Sequence, residues 1–161
     1  PSPGYPDESG GGHIIAGLAA VVNLGDSDAI DMRNAAVVVA LGESGSYFTG
    51  GTRSAAWLTL RNALDEALDY RDHKADFERG MRRTYVHSMA DLEALQGVIN
   101  GNTPMIVSVN RASDIEVLMG FVDEYSVQAI IFGGAEAWML ADKLAAADIP
   151  DRKSTRLNSS H

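Results

Sequence analysis

Apolar residues fall into short unbroken runs and longer periodic stretches, and the two alternate most clearly between residues 104 and 150. Pro104 introduces the apolar run Met105 to Val109, which has the length and flanks of a strand buried on both faces. Beyond it Ile115, Leu118, Met119 and Val122 recur at helical spacing. Asn110 is placed to cap that helix, and Asp114 and Glu116 stand in its first turns, where the helix dipole favours carboxylates. Ser126 breaks the pattern. Val127 to Phe132 then predicts a second strand, Gly133-Gly134 a turn, and Trp138, Leu140, Ala141 and Leu144 a second amphipathic helix. Trp57, Met119, Phe121 and Trp138 are expected in the core. In such a β-α-β-α unit the functional groups belong at the strand C-termini, which singles out Ser108, Asn110, Arg111, Gly133, Gly134 and Glu136. The plain roles compete: Ser108 and Asn110 as strand end and cap, Arg111 as a solvated cation, Glu136 as a partner of its own helix dipole.

Upstream, residues 1 to 12 read as a Gly-, Pro- and Ser-rich loop. Gly10-Gly11-Gly12 lacks the preceding strand and the Gly-Lys-Ser/Thr of a nucleotide fingerprint. Ile14 to Leu24 is strand-like. Asp26, Asp28 and Asp31 lack the Gly and closing Glu of a calcium loop and read as turn and helix-start residues. Ala35 to Leu41 predicts a buried strand whose tip is the loop Gly42-Glu43-Ser44-Gly45. Glu43 there is either a metal ligand or general base, or a solvated loop carboxylate. Ser44 sits in a sequence that misses the nucleophile elbow at its last position.

Ser54 to Arg79 predicts one long helix with Ala56, Leu60, Ala63, Leu64, Ala67 and Leu68 as its buried stripe. Asp65, Glu66, Asp69, Arg71, Asp72, Lys74 and Asp76, with His73 among them, form the solvated face. After Gly80 a shorter helix runs from Ser88 to Ile99, with Met89, Leu92, Leu95 and Val98 on one side. Ser88 and Asp91 resemble a capping box with the shorter acid, and Asn100-Gly101-Asn102 closes the helix.

The chain of 161 residues can bury a core but is short for a complete large α/β fold. Residues 151–161, DRKSTRLNSSH, correspond codon by codon to the translation of a common short-read sequencing adapter, so they are expected to be a non-native tail; residues 1–150 are read as one domain or a piece of one. The formal charge is −9; the tail carries +2, which leaves −11 for the remainder. This acidity argues against nucleic acid and against anionic membrane surfaces. No apolar run is long enough to cross a bilayer. The absence of Cys removes disulfides and thiolate chemistry, while the compartment, cytoplasm or bacterial periplasm, stays open.

Five phrases in order, LGE at 41–43, Thr52-Arg53, PMIVSVNRASDI at 104–115, GAEAW at 134–138 and the helix after it, resemble the middle of imidazolonepropionase-like members of the amidohydrolase superfamily. The resemblance spans most of residues 10 to 150. It implies an α/β fold, a partial (β/α)8 TIM barrel covering roughly the fourth to sixth strand-helix units. It implies a hydrolase that uses a divalent metal such as zinc to activate water against carbon-nitrogen bonds of small molecules, cyclic amides or dipeptides. Glu43 is the one matched metal ligand; Glu43, Arg53, Ser108, Asn110, Arg111 and Gly133 would line the pocket. Where relatives carry His at the fifth strand end this chain has Ser108, with Asn110 at a second such position; Gly133 stands at the sixth-strand His and Val38 where many have Lys. The early His-x-His and late Asp of the family lie outside these residues.

Two further readings compete: a catalytically degenerate barrel serving as a ligand-binding or structural subunit, and a doubly wound domain holding a phosphate at Gly133-Gly134. A partial barrel leaves strand edges and apolar faces uncovered, so residues 1–161 expressed alone are expected to aggregate or form homo-oligomers. Sedimentation and a thermal scan check this; a monomer with a cooperative melt would refute it.

Overall fold

The computed structural model describes residues 13–22, 30–81 and 84–152. The glycine run at 10–12 and Asp26 and Asp28 lie outside them. Five strands form one sheet in sequence order: β1 (Ile15–Val22), β2 (Ile30–Ala40), β3 (Met105–Val109), β4 (Ala129–Gly133) and β5 (Asp151–Arg152). β1 runs antiparallel to β2, and every later neighbour is parallel. The order never reverses, so the described sheet has no switch point of the kind at which doubly wound sheets hold ligands. Asp151 and Arg152, the first residues of the adapter-like segment, pair with Ile131 and Phe132 of β4. Asp31, read as a turn or helix start, lies instead within β2, whose pairing with β1 extends the strand upstream of the apolar run.

The parallel register fixes two faces. Val37, Met105 and Ala129 align, as do Val39, Val107 and Ile131, and all six are buried. One residue along, Val38, Ile106 and Ile130 align on the other face, followed by Ala40, Ser108 and Phe132. On this face all but Ala40 are only half-buried. β3 therefore alternates buried and half-buried positions, which differs from the expected strand buried on both faces.

Helices α1 (Gly42–Phe48), α2 (Arg53–Glu78), α3 (Met89–Ile99) and α4 (Ala112–Tyr125) contribute to the single core that covers the first face. α1 replaces the loop expected after β2. It fits because Gly45 has no side chain: a Cβ there would stand 2.5 Å from the Ala40 carbonyl oxygen and 3.0 Å from the Ala56 Cβ. Thr52 caps α2 by accepting a bond from the Ala55 N–H at 3.2 Å. The buried stripe of α2 includes Trp57 and Tyr70 as well as the predicted Leu60, Ala63 and Leu64, whereas Leu68 is half-buried. His73 departs from helical geometry, and its Nδ1 lies 3.0 Å from the Asp69 carbonyl oxygen, the acceptor that the helix ladder would use. In α3 Ser88 accepts from the Asp91 N–H, and its hydroxyl donates to the Asp91 carboxylate at 2.6 Å.

Two carboxylates on the supposedly solvated face of α2 hold the next segment down. Asp69 accepts from the Tyr85 hydroxyl at 2.7 Å, and Glu66 accepts from the backbone N–H groups of Val86 and His87 at 3.0 Å and contacts His87 Nδ1 at 2.9 Å. Burial pushes the Glu66 carboxyl up, but these bonds outweigh it and bring the group below the ordinary glutamate value. A carboxylate with a depressed folded-state pKa stabilises the fold above its unfolded pKa, and that contribution fades as pH falls through the folded value. Glu66→Ala is expected to cost about 1–3 kcal/mol at neutral pH by leaving these donors unpaired. Urea unfolding measured from pH 7 downwards should show the gap between variant and parent closing below the ordinary glutamate range; a constant gap would refute the assignment.

Candidate functional site

The C-terminal ends of β2, β3 and β4 come out side by side. Backbone bonds stitch them together: Leu41 N–H to the Ser108 carbonyl at 3.2 Å, Gly134 N–H to Val109 at 2.9 Å, and Glu136 N–H to Asn110 at 2.9 Å. Glu43, Ser108, Asn110, Arg111 and Gly133 therefore share one rim, as expected, and Arg53 joins it from the start of α2.

Of the carboxylates on this rim Glu43, Asp114 and Glu136 are already engaged, whereas the buried Asp151 Oδ1, close under Gly134, has no hydrogen-bond partner among the described residues. Glu43, in the first turn of α1, pairs with the Arg111 guanidinium, and both groups are exposed, at 66% and 52%. Asp114 is the reverse case. It is 8% exposed and accepts from Arg53 Nη1 at 3.0 Å, so it is a buried ion-pair partner and more than a dipole residue. Its Oδ2 also sits close under Gly42, 3.2 Å from where a Cβ would be. Glu136 turns away from its own helix and caps α4, accepting from the Ala112 N–H at 2.8 Å. Asn110 does not cap α4; Arg111 is the N-cap residue and makes no side-chain cap bond.

Gly133 has φ +100, and a Cβ there would lie 2.7 Å from Asn110 Oδ1. The rim is thus closed around a position that carries no side chain, with the Asn110 amide packed against it. Ser108, between Ala40 and Phe132 on the half-buried face, offers only a hydroxyl, a poor ligand for zinc. No group of three or more His, Asp or Glu able to hold a metal occurs among the described residues. The groups at Glu43, Ser108 and Gly133, an Arg-bound carboxylate, a hydroxyl and a bare backbone, do not fit a divalent metal.

The helix after β4 also differs from expectation. A 3-10 turn at Ala137–Leu140 precedes the short α5 (Ala141–Ala146), so Ala137, Leu140 and Leu144 face inward and Trp138 is 71% exposed. Leu140 and Leu144 keep their expected places, while Ala137 stands inward instead of Trp138 and Ala141 is exposed. Trp57, Phe121 and the half-buried Met119 are in or against the core as predicted. Sequence reasoning missed Asp114 as a pairing residue because its partner lies 61 positions away. The one available signal was a carboxylate in a helix first turn beside an apolar stripe.

No protein-family model and no curated protein matches the sequence. Among solved structures the chain is similar to an amidohydrolase from Thermotoga maritima MSB8, with a TM-score of 0.74 and 20% identity over 89% of this chain. The match covers 41% of that protein, so the chain spans about two-fifths of its length. At this identity the likeness shows a shared fold.

The asymmetric burial of the Arg53–Asp114 pair sets a test. Arg53→Met strands a buried carboxylate and is expected to destabilise by about 2–4 kcal/mol. Arg53→Met/Asp114→Leu should recover a large part of that loss, because it removes the uncompensated charge. Denaturant unfolding of parent, single and double variants checks this; a double variant no better than the single would refute it.

Proposed function

We propose that this chain is a central portion of an amidohydrolase-superfamily (β/α)8 barrel, roughly its fourth to sixth strand-helix units, and that the barrel hydrolyses carbon-nitrogen bonds in small molecules such as cyclic amides or dipeptides. The observation that carries the reading is the fold likeness over 89% of the chain to a protein described as an amidohydrolase. Sequential parallel strands with helices over one face, and polar groups gathered at the strand C-termini, agree with it.

This portion serves as pocket wall in that scheme. The half-buried face of Val38, Ile106, Ile130 and Phe132 would point into the barrel, with Ser108 above it at the mouth. Ser108 and Asn110 orient substrate by hydrogen bonding, and Arg111 supplies positive charge. No step of bond cleavage is assigned to these residues, since their donors do not fit the metal that the superfamily employs.

The same mismatch favours a second reading, a barrel that keeps the fold and binds a ligand without turnover. The engagement of Glu43, Asp114 and Glu136 by protein partners is the observation behind it. The complete barrel containing this chain should be assayed for release of amine from a panel of cyclic amides and dipeptides. Turnover of either class supports the hydrolase. A folded barrel without turnover, yet retaining saturable binding of the same compounds, replaces it by the binding subunit. In the active case Ser108→Ala is expected to raise KM by about three- to tenfold, the usual worth of one hydrogen bond to substrate.

A further inference from the structure

The rim carries two guanidinium groups that are held in opposite ways. Arg53 is anchored on a nearly buried carboxylate, Asp114, and is not free to change partner without leaving that charge stranded. Arg111 rests on Glu43, and both members of the pair are more than half exposed. An exposed pair of this kind contributes little net stability, so another carboxylate can take the place of Glu43 at little cost. The guanidinium presents its donors in a planar fork that matches a carboxylate, and bidentate pairing adds orientation to attraction.

The surroundings suit such an exchange. Arg111 follows Ser108 and Asn110 on the exit of β3, and the polar ends of those two side chains have no hydrogen-bond partner among the described residues. Gly133 leaves room for the Asn110 amide, whose Oδ1 lies 2.7 Å from where a Cβ would stand, so Asn110 is held at the β4 tip beside Arg111. The α4 N-terminus is already occupied by Glu136, so Arg111 is the cation of this rim still able to take a new partner. Against a chain of net charge −9, one exchangeable cation beside two unpaired polar groups is a local feature of the opposite sign.

We propose that Arg111 is a carboxylate-binding residue, with Glu43 as the resident counter-ion that an incoming carboxylate displaces and Asn110 as a further donor. The ligand is a small molecule with a free carboxylate close to an amide, as in N-acyl amino acids and dipeptides. The amide part of this ligand rests on the hydrolase reading, and carboxylate binding on the geometry alone.

Equilibrium dialysis of the complete barrel containing this chain against N-acetylglycine and its neutral counterpart N-acetylglycinamide tests it. The acid is expected to bind about tenfold more tightly than the amide, the worth of one charge-assisted hydrogen-bonded pair. Arg111→Gln should erase that preference and Arg111→Lys keep part of it. Glu43→Gln should increase it, because the competing internal carboxylate is gone; a general loss of structure would not move the two variants in opposite directions. Equal binding of the two compounds, binding of neither, or a preference that survives Arg111→Gln overturns the proposal. An Arg111-dependent preference in a barrel without turnover leaves the subsite and removes the hydrolase, whereas turnover without the preference removes the subsite alone.

Discussion

The register of three parallel strands is the constraint on which the rest of this protein depends. Side chains alternate along a strand, so slipping β3 by one residue against β2 would send Met105, Val107 and Val109 out of the helix-covered core and bring Ile106 and Ser108 into it. The apolar core forbids that exchange, since burying a hydroxyl without a partner costs while exposing three apolar side chains forfeits their burial. What reads as packing is therefore also what sets Ser108 on the opposite face. Level strand ends follow from the same register, and with them the backbone bonds from Leu41, Gly134 and Glu136 that close the rim.

Charge on that rim is arranged for internal balance. Arg53 answers Asp114, Arg111 answers Glu43, and the N-terminus of α4 answers Glu136. A divalent cation needs several uncommitted donors converging on one point, and here Glu43, Asp114 and Glu136 point at protein partners instead, with one oxygen, Asp151 Oδ1, left uncommitted. The difference in burial between the two Arg pairs separates their work. One pair locks α2 against α4; the other is open to solvent and to whatever solvent brings. On the outer side the same two helices are joined again by Arg61 with Glu124 and by the Tyr125 hydroxyl on Asp65, the latter at 2.7 Å, with Trp57 against Phe121 beneath.

The elements legible from residue pattern were those whose signal is local. The apolar run at β3, the helical spacing of α4 and the long stripe of α2 all emerged close to where they were expected, because burial on one side dictates a period. The gathering of Glu43, Ser108, Asn110, Arg111 and Gly133 on one rim was also legible, as parallel strands impose it. The illegible parts were tertiary. Glu66 and Asp69 look like any acids on a charged helix face until Tyr85, Val86 and His87 fold back onto them. α1 is permitted by the bare backbone of Gly45, and Trp138 is exposed by a one-turn change of helix type that no spacing rule announces.

The excursion between β2 and β3 holds three helices, α1 to α3, whereas β3 and β4 are joined by α4 alone. Loop-closure entropy rises only with the logarithm of length, about 0.6 kcal/mol per doubling. The sheet therefore loses little by accommodating the larger excursion, and α3, tied to α2 through the bond from Gln96 to the Ala67 carbonyl, rides on the sheet as added volume. That places the surface best able to accept inserted residues on the side of β2. The compact β3-α4-β4 unit, which carries Arg111, has much less room for change.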